Sequence, residues 1–306
     1  MRIFVTGGAG FIGRHCVRSF LEKNYQVTIF DNLSNSSKDM ISDLLDDGAK
    51  FVKGDITVQD QVSKTISGHD TVIHLAAKNS VDESIKFPEQ TFTTNVEGTK
   101  NVLNSCLKHN IKNIVIASSA AVYGETQNMP VAENHKTNPS SPYGQSKLQM
   151  EQLVESFSKK HNLNSIILRI FNVYGKGQSD EYAGVITKFL AKISKNEPLE
   201  IFGDGLQTRD FVSIHDVVDA INIAISNIDE KRVNAYNIAS GKAITIKDLA
   251  KVMIELSRKK LKINYLEKKP GEIRFSQANI TNAKNELGFL PKIDLKEGIK
   301  RLISVE

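Results

Sequence analysis

The chain has 306 residues, 40% of them apolar and 25% charged, a balance that suits a globular protein with a substantial core in one large domain or two smaller ones. Its 40 lysines and arginines exceed its 35 acids to leave a net charge of +5, scattered without a basic block, so no nucleic-acid partner is indicated. Cys16 and Cys106 form neither a CxxC pair nor a zinc pattern with the histidines, and no apolar run approaches the ~20 residues that cross a bilayer. With Arg2 opening the first strand, a reduced cytoplasmic protein without a metal or a membrane partner is expected.

"RIFVTGGAGFIGRHCVRSFLEKNYQVTIFDNLS" reads as strand, turn, helix, strand. Ile3, Phe4 and Val5 form a β-rich run, a helix extends to about Lys23, and Val27 to Phe30 reads as a strand buried on both faces. Gly7, Gly10 and Gly13 between them would let the backbone turn sharply and approach a phosphate, with the helix N-terminus presenting free N–H groups to an anion. The spacing is GxxGxxG, not GxGxxG, so the fingerprint is not matched literally. Asp31 adds to it, ending the second strand eighteen residues after Gly13. A carboxylate there accepts bonds from both ribose hydroxyls of an adenosine and repels a 2′-phosphate, which favours NAD over NADP. Arg14 reads as a solvated helix residue, the alternative being a cation near the phosphates that would accept NADP.

A third strand is expected at Lys50 to Lys53, followed by "GDI". Asp55 and Ile56 then sit at its C-terminal end, Asp55 either contacting adenine or capping a helix. "TVIHLAAK" gives a fourth strand, Thr71 to Leu75, whose sequel Ala76 and Ala77 permits close passage of a cofactor. His74 inside it reads as a packed, hydrogen-bonded histidine. The spacing predicts a helix over about Glu89 to His109, with Asn95 turned toward a neighbouring loop. "KNIVIASSAAVYG" is a fifth strand running into Ser118 and Ser119, where a hydroxyl either faces a ligand or caps the next turn. In "SPYGQSKLQM", Tyr143 and Lys147 lie one helical turn apart on one face. A cation there lowers a phenol's pKa, one route to a general base near neutral pH.

Together "TGGAGFIG", "DNLS", "GDI", "HLAA", "NVEGT", "SSAAVYG", "SPYGQSK", "LRIFNVYG", "IFGDGLQTRDFVSIHDV" and "PGEIRFS" resemble, nearly end to end, the extended short-chain dehydrogenases/reductases of the nucleotide-sugar epimerase/dehydratase group, UDP-glucose 4-epimerases in particular. The resemblance implies a Rossmann-type doubly wound parallel sheet with a smaller, interleaved C-terminal α/β substrate domain. The expected division is 1–172 with a return near 211–238, against 173–210 and 239–306. "DVVDAINIAIS" (Asp216 to Ser226) reads as the amphipathic helix of that return, and a final helix is expected near Leu295 to Ile303.

The resemblance implies Ser119, Tyr143 and Lys147 as the catalytic set: Tyr143 takes the proton of the sugar 4′-hydroxyl, Lys147 bonds the nicotinamide ribose and holds the phenolate, and Ser119 bonds the oxygen as it becomes a carbonyl. The NAD site would comprise Gly7, Gly10, Phe11, Ile12, Gly13, Asp31 and Asn32. It would continue through Asp55, Ile56, Leu75, Ala76, Ala77, Lys78, Asn95 and Ser118, and end on Tyr143 and Lys147. A UDP-sugar would meet Ser80, Val81, Ser119, Tyr143, Asn172, Phe202, Arg209 and Arg274, with Tyr174 and Gln178 as further lining residues. "KKPGEIRFS" departs from the commoner Arg-Pro-Gly-Asp form: Lys269 stands for an arginine expected on phosphate and Glu272 for an aspartate, which weakens both assignments. Ala120 and Ala121 stand where related dehydratases carry an acidic pair, and methyl groups cannot transfer protons. The expected activity is therefore 4-epimerisation of a UDP-hexose through a 4-keto sugar, with an N-acetylhexosamine or uronate as the alternative. A non-catalytic dinucleotide sensor would have no need to keep all three catalytic groups. A homodimer is implied by the same resemblance.

Overall fold

The computed structural model describes residues 1–178, 184–228, 233–268 and 273–304. The first part alternates strand and helix: β1 (Arg2–Thr6), α1 (Phe11–Glu22), β2 (Gln26–Asp31), α2 (Ser42–Asp46), β3 (Lys50–Lys53), α3 (Gln59–Ile66) and β4 (Thr71–His74). It continues through α4 (Val81–Lys86), α5 (Pro88–Phe92), α6 (Gly98–Lys108), β5 (Asn113–Ser119), α7 (Pro142–His161) and β6 (Asn164–Ile170). Helical crossovers between strands force parallel pairing. The result is a sheet in the order β10-β6-β5-β4-β1-β2-β3, every pair parallel. Its outermost member, β10 (Val233–Ile238), arrives long after β6 in the chain.

Side-chain alternation builds a core on each face. Ile3, Val5 and Ile29 point to one side, where α1 contributes Val17 and Phe20. Phe4, Phe30 and Ile116 point to the other, against Leu103 of α6 and Met150 and Val154 of α7. Helix α9 (Ile214–Asn227), expected as a return to the sheet, packs in the same core as α1 through Val217 and Ile221.

The rest of the chain is built of short pieces: β7 (Asn172–Tyr174), α8 (Val185–Ser194), β8 (Leu199–Phe202), β9 (Thr208–Ser213), β11 (Ala243–Thr245), α10 (Ile246–Ser257), β12 (Ile263–Leu266) and α11 (Leu295–Ile303). They form a three-stranded sheet, β11-β9-β7, and a two-stranded one, β12-β8. Phe189, Leu249 and Ile299 belong to a separate core between them. Among the described residues no helix is long and apolar enough to cross a membrane.

One helix differs from its expectation. The stretch from Glu89 to His109 is interrupted by a wide π turn at Thr93–Glu97 between α5 and α6. Asn95 explains it. Its carboxamide accepts from the backbone N–H of Lys78 (2.8 Å) and donates to the Lys78 carbonyl and the Ser146 hydroxyl (2.9 Å each). The extra residue in the turn presents this buried side chain to the loop after β4, as π turns often do beside functional sites.

Candidate active site

The chain leaves β1 toward β2 on one side and resumes at β4 on the other, so the strand order reverses between β1 and β4. Open α/β sheets bind ligands at the strand C-termini at such a reversal. A cavity of about 530 Å³ lies there.

Its floor is the glycine turn. Gly7 has φ +69°, and a Cβ on it would lie 2.6 Å from the Ala76 nitrogen. A Cβ on Gly13 would lie 2.2 Å from the Gly7 carbonyl oxygen, so α1 can seat against the turn only as glycine. No side chain caps α1 and no acid stands in its first turn, leaving its N-terminal N–H groups open to an anion. Gly7, Gly10, Phe11, Ile12 and Gly13 all line the cavity. Arg14 corrects its expectation. It is half-buried and donates 2.6 Å to the Gly177 carbonyl, because the polar side of α1 meets the turn after β7 and not solvent.

Asp31 and Asn32 line the adjoining wall. Burial pushes the Asp31 pKa up, while the Leu33 and Ala9 amides (2.8 and 3.1 Å) oppose it. Asp55 accepts from Thr57 N (2.8 Å) and from the Asn32 amide (2.9 Å). Burial works against its charge, yet these bonds outweigh it and hold the pKa below the usual value. It does not cap α3, whose N-cap is Val58. Ile56, Leu75, Ala76, Ala77, Lys78 and Ser118 also line this cavity. Asn95 does not; its amide is committed to Lys78 and Ser146 behind the wall. His74 sits between the Thr6 and Thr99 hydroxyls (2.7 and 2.9 Å), and burial pushes its pKa down to about 3.

At the far end stand Ser119, Tyr143 and Lys147. Ser119 closes β5 and accepts from Ala121 N (3.1 Å), so it caps the next turn while its side chain lines the cavity. Ser141 caps α7 and Pro142 opens it, placing Tyr143 in the first turn. Lys147 is 4% exposed and donates 2.8 Å to the Ala117 carbonyl. Burial pushes its pKa down to about 8, with Glu151 opposing.

The expected lowering of the phenol pKa by Lys147 is corrected here. Burial raises the Tyr143 pKa, and the opposing influence is the Ser119 hydroxyl. The helical spacing does put the two residues on one face, but the long lysine stem carries its ammonium to the strand.

Ser119 and Tyr143 line a second cavity too, of about 310 Å³, with Val81, Asn172 and Arg209. Asn172 and Arg209 in turn line a third, of about 360 Å³, with Phe202, Tyr174 and Gln178. Two substrate-side expectations fall outside these walls. Ser80 caps α4, accepting from Glu83 N at 3.1 Å. Arg274 forks onto Asp204 (2.6 and 2.8 Å). Lys269 and Glu272 lie outside the described residues. Sequence reasoning passed over Ile170 and Phe171, which line both the first and the second cavity. The pairing of Ile170 with Ser119 across β6 and β5 is what puts them there.

The pattern of the NAD dependent epimerase/dehydratase family matches residues 3–239. A relative from Methanocaldococcus jannaschii, provisionally named a UDP-glucose 4-epimerase, is 40% identical over 99% of this chain and 97% of its own. Among solved structures, the UDP-glucose 4-epimerase of Thermotoga maritima with UDP-glucose is 33% identical, with a TM-score of 0.93 over 99% of this chain and 98% of that one. The UDP-N-acetylglucosamine 4-epimerase of Methanobrevibacter ruminantium, in complex with UDP-N-acetylmuramic acid, is also 33% identical, with a TM-score of 0.92 over 100% of this chain and 99% of that one. With the glycine turn, the sheet reversal and the length of these matches in agreement, this chain belongs to the NAD dependent epimerase/dehydratase family.

Proposed function

We propose that the protein is a 4-epimerase of a UDP-hexose, interconverting UDP-glucose and UDP-galactose through a transient 4-keto sugar. The observation that carries this reading is the junction of the three cavities. Ser119 and Tyr143 are shared by the first and second, Asn172 and Arg209 by the second and third. Compartments in that row suit a dinucleotide, a hexose and a nucleoside diphosphate.

The residues present fit NAD: the cradle that a Cβ would fill, the uncapped α1 and the Asp31 carboxylate are in place. The glycine turn would hold its diphosphate and Asp31 its adenosine ribose, with Asn32, Asp55 and Ile56 toward the adenine. Leu75 to Lys78, Ser118 and Lys147 would flank the nicotinamide half. Bound NAD supplies a hydride acceptor and, once reduced, a hydride donor. Tyr143, as phenolate, takes the 4′-hydroxyl proton and later returns it. Ser119 bonds that oxygen as it becomes a carbonyl. The Lys147 ammonium would bond the nicotinamide ribose. Arg209 forks onto the diphosphate beside Asn172, with Phe202 against the uridine.

Ala120 and Ala121 line the second cavity, and no acid among the described residues does, which argues against dehydration. Likeness to the Methanobrevibacter ruminantium enzyme favours a UDP-N-acetylhexosamine as the second substrate reading. We also propose a homodimer built on the helices near Glu89–His109 and Ser141–Lys160, in keeping with Leu107 of α6 being 43% exposed. Separate incubations with UDP-glucose, UDP-N-acetylglucosamine and UDP-glucuronate, followed by chromatography, test the reading. The 4-epimer of UDP-glucose is expected as the main product, and a dehydrated keto-sugar would overturn it.

A further inference from the structure

Behind the Lys147 ammonium lies a charge pair that the proposed chemistry does not use. Glu151 follows Lys147 by one turn of α7 on the same face and is 1% exposed. Its carboxylate accepts from Arg169 of β6, from Nη2 at 2.8 Å and from Nε at 3.1 Å. It also takes the Ser118 hydroxyl. Arg169 donates further to the Tyr123 hydroxyl (3.0 Å) and the Glu133 carbonyl (2.9 Å). A pair buried so deeply contributes little stability over apolar residues of the same volume, because both charges must be desolvated.

Its placement offers another reason. Lys147 is bonded to Ala117 and Glu151 to Ser118, the two residues of β5 that precede Ser119. Resting on the role of Lys147 given above, we propose that Glu151 and Arg169 are positioning residues for Lys147: a carboxylate that keeps the ammonium charged and aimed at the end of β5 and, behind it, a guanidinium that holds the carboxylate in place and tempers its charge.

The groups that face Lys147 are few. Its own helix supplies Tyr143 and Glu151. From β4 comes His74, kept neutral by burial and by Lys147 itself. From β5 comes the Ala117 carbonyl, and from β6 comes Arg169, paired to Glu151. Glu151 favours the protonated lysine, and Arg169 moderates that effect by neutralising the carboxylate. Removing each partner must therefore move Lys147 in opposite directions.

The test follows Lys147 directly, by NMR of protein carrying ¹³Cε-labelled lysine, its signal identified by disappearance in Lys147→Met. Glu151→Gln should lower the titration midpoint and Arg169→Gln should raise it, each by on the order of one pH unit. Arg169→Lys should return it toward the parent value. Midpoints that stay put, or that move the same way in both variants, overturn the proposal. If Glu151→Gln gives no folded protein, the Arg169→Gln and Arg169→Lys pair decides by the same criterion. Midpoints that part while the alkaline limb of the epimerisation profile stays fixed would support the charge pair and overturn the reaction role of Lys147.

Discussion

Ala117 and Lys147 are joined by a 2.8 Å hydrogen bond from the lysine ammonium to the strand carbonyl. It ties α7, which carries Tyr143, to β5, which ends in Ser119. The two hydroxyls that share the junction of the first and second cavities are thus mounted on elements locked to each other two residues before the strand ends. A site held on a strand and a helix keeps its geometry better than one held on loops.

Tyr143→Phe keeps the ring and removes the hydroxyl. Turnover should fall by about 10²- to 10⁴-fold, the range of a lost general acid–base group, while bound dinucleotide is retained. Cofactor released on denaturation and initial rates measure both; unchanged turnover would remove Tyr143 as the base.

The Lys147 ammonium loses its proton as pH rises through about 8. If it bonds the cofactor ribose, dinucleotide affinity of the cofactor-depleted protein should weaken above that pH. In Lys147→Met the affinity should be low and independent of pH. Equilibrium dialysis between pH 6.5 and 9.5 checks this, and parallel curves for the two proteins would contradict it.

His74 is neutral in the fold, its pKa down at about 3 against an ordinary 6.5. The unfolded chain therefore binds the proton first as pH falls below about 6.5, so the stability this residue permits is lost from there toward about 3. The slope is about 1.4 kcal/mol per pH unit at most. Urea midpoints should fall with pH in that window, and His74→Gln, which keeps a polar partner for Thr6 or Thr99, should flatten the fall.

Gly13→Ala would drive a methyl group to 2.2 Å from the Gly7 carbonyl oxygen. The turn must shift away from α1, and the cradle opens with it. Cofactor content should drop sharply and the melting temperature should fall; a variant with full cofactor content would contradict the close-packed turn.

Arg209→Lys keeps the charge and loses the fork that can bond two phosphate oxygens together. KM for the UDP-sugar should rise about tenfold, equivalent to about 1.4 kcal/mol, with kcat little changed. Initial-rate kinetics distinguish this from a loss confined to kcat.

The doubly wound sheet was legible because its strands carry two-sided apolar runs punctuated by glycine, and those local patterns survive into the fold. The glycine turn and Asp31 were legible for the same reason, each lying at an element end that the pattern marks, whereas Ser119, Tyr143 and Lys147, which line one cavity, were marked as a set by the family resemblance. What was not legible depends on distant contacts. The π turn at Thr93–Glu97 exists because Asn95 reaches Lys78 and Ser146. Arg14 looked solvated because nothing in its neighbours announces the Gly177 carbonyl, which comes from 163 residues away. Arg274 read as a second candidate cation for phosphate, whereas Asp204 takes its fork. The direction of the Tyr143 shift was missed because spacing reports where Cα atoms lie, not where a lysine places its ammonium.

In the proposed reaction the hydrogen removed from the sugar's C4′ is put back on C4′ inside one closed site. Turnover of UDP-[4-²H]glucose tests it most directly. UDP-galactose that retains deuterium at C4′ is the expected product. Loss of the label to solvent, or a labelled deoxy keto-sugar in place of the epimer, would contradict it.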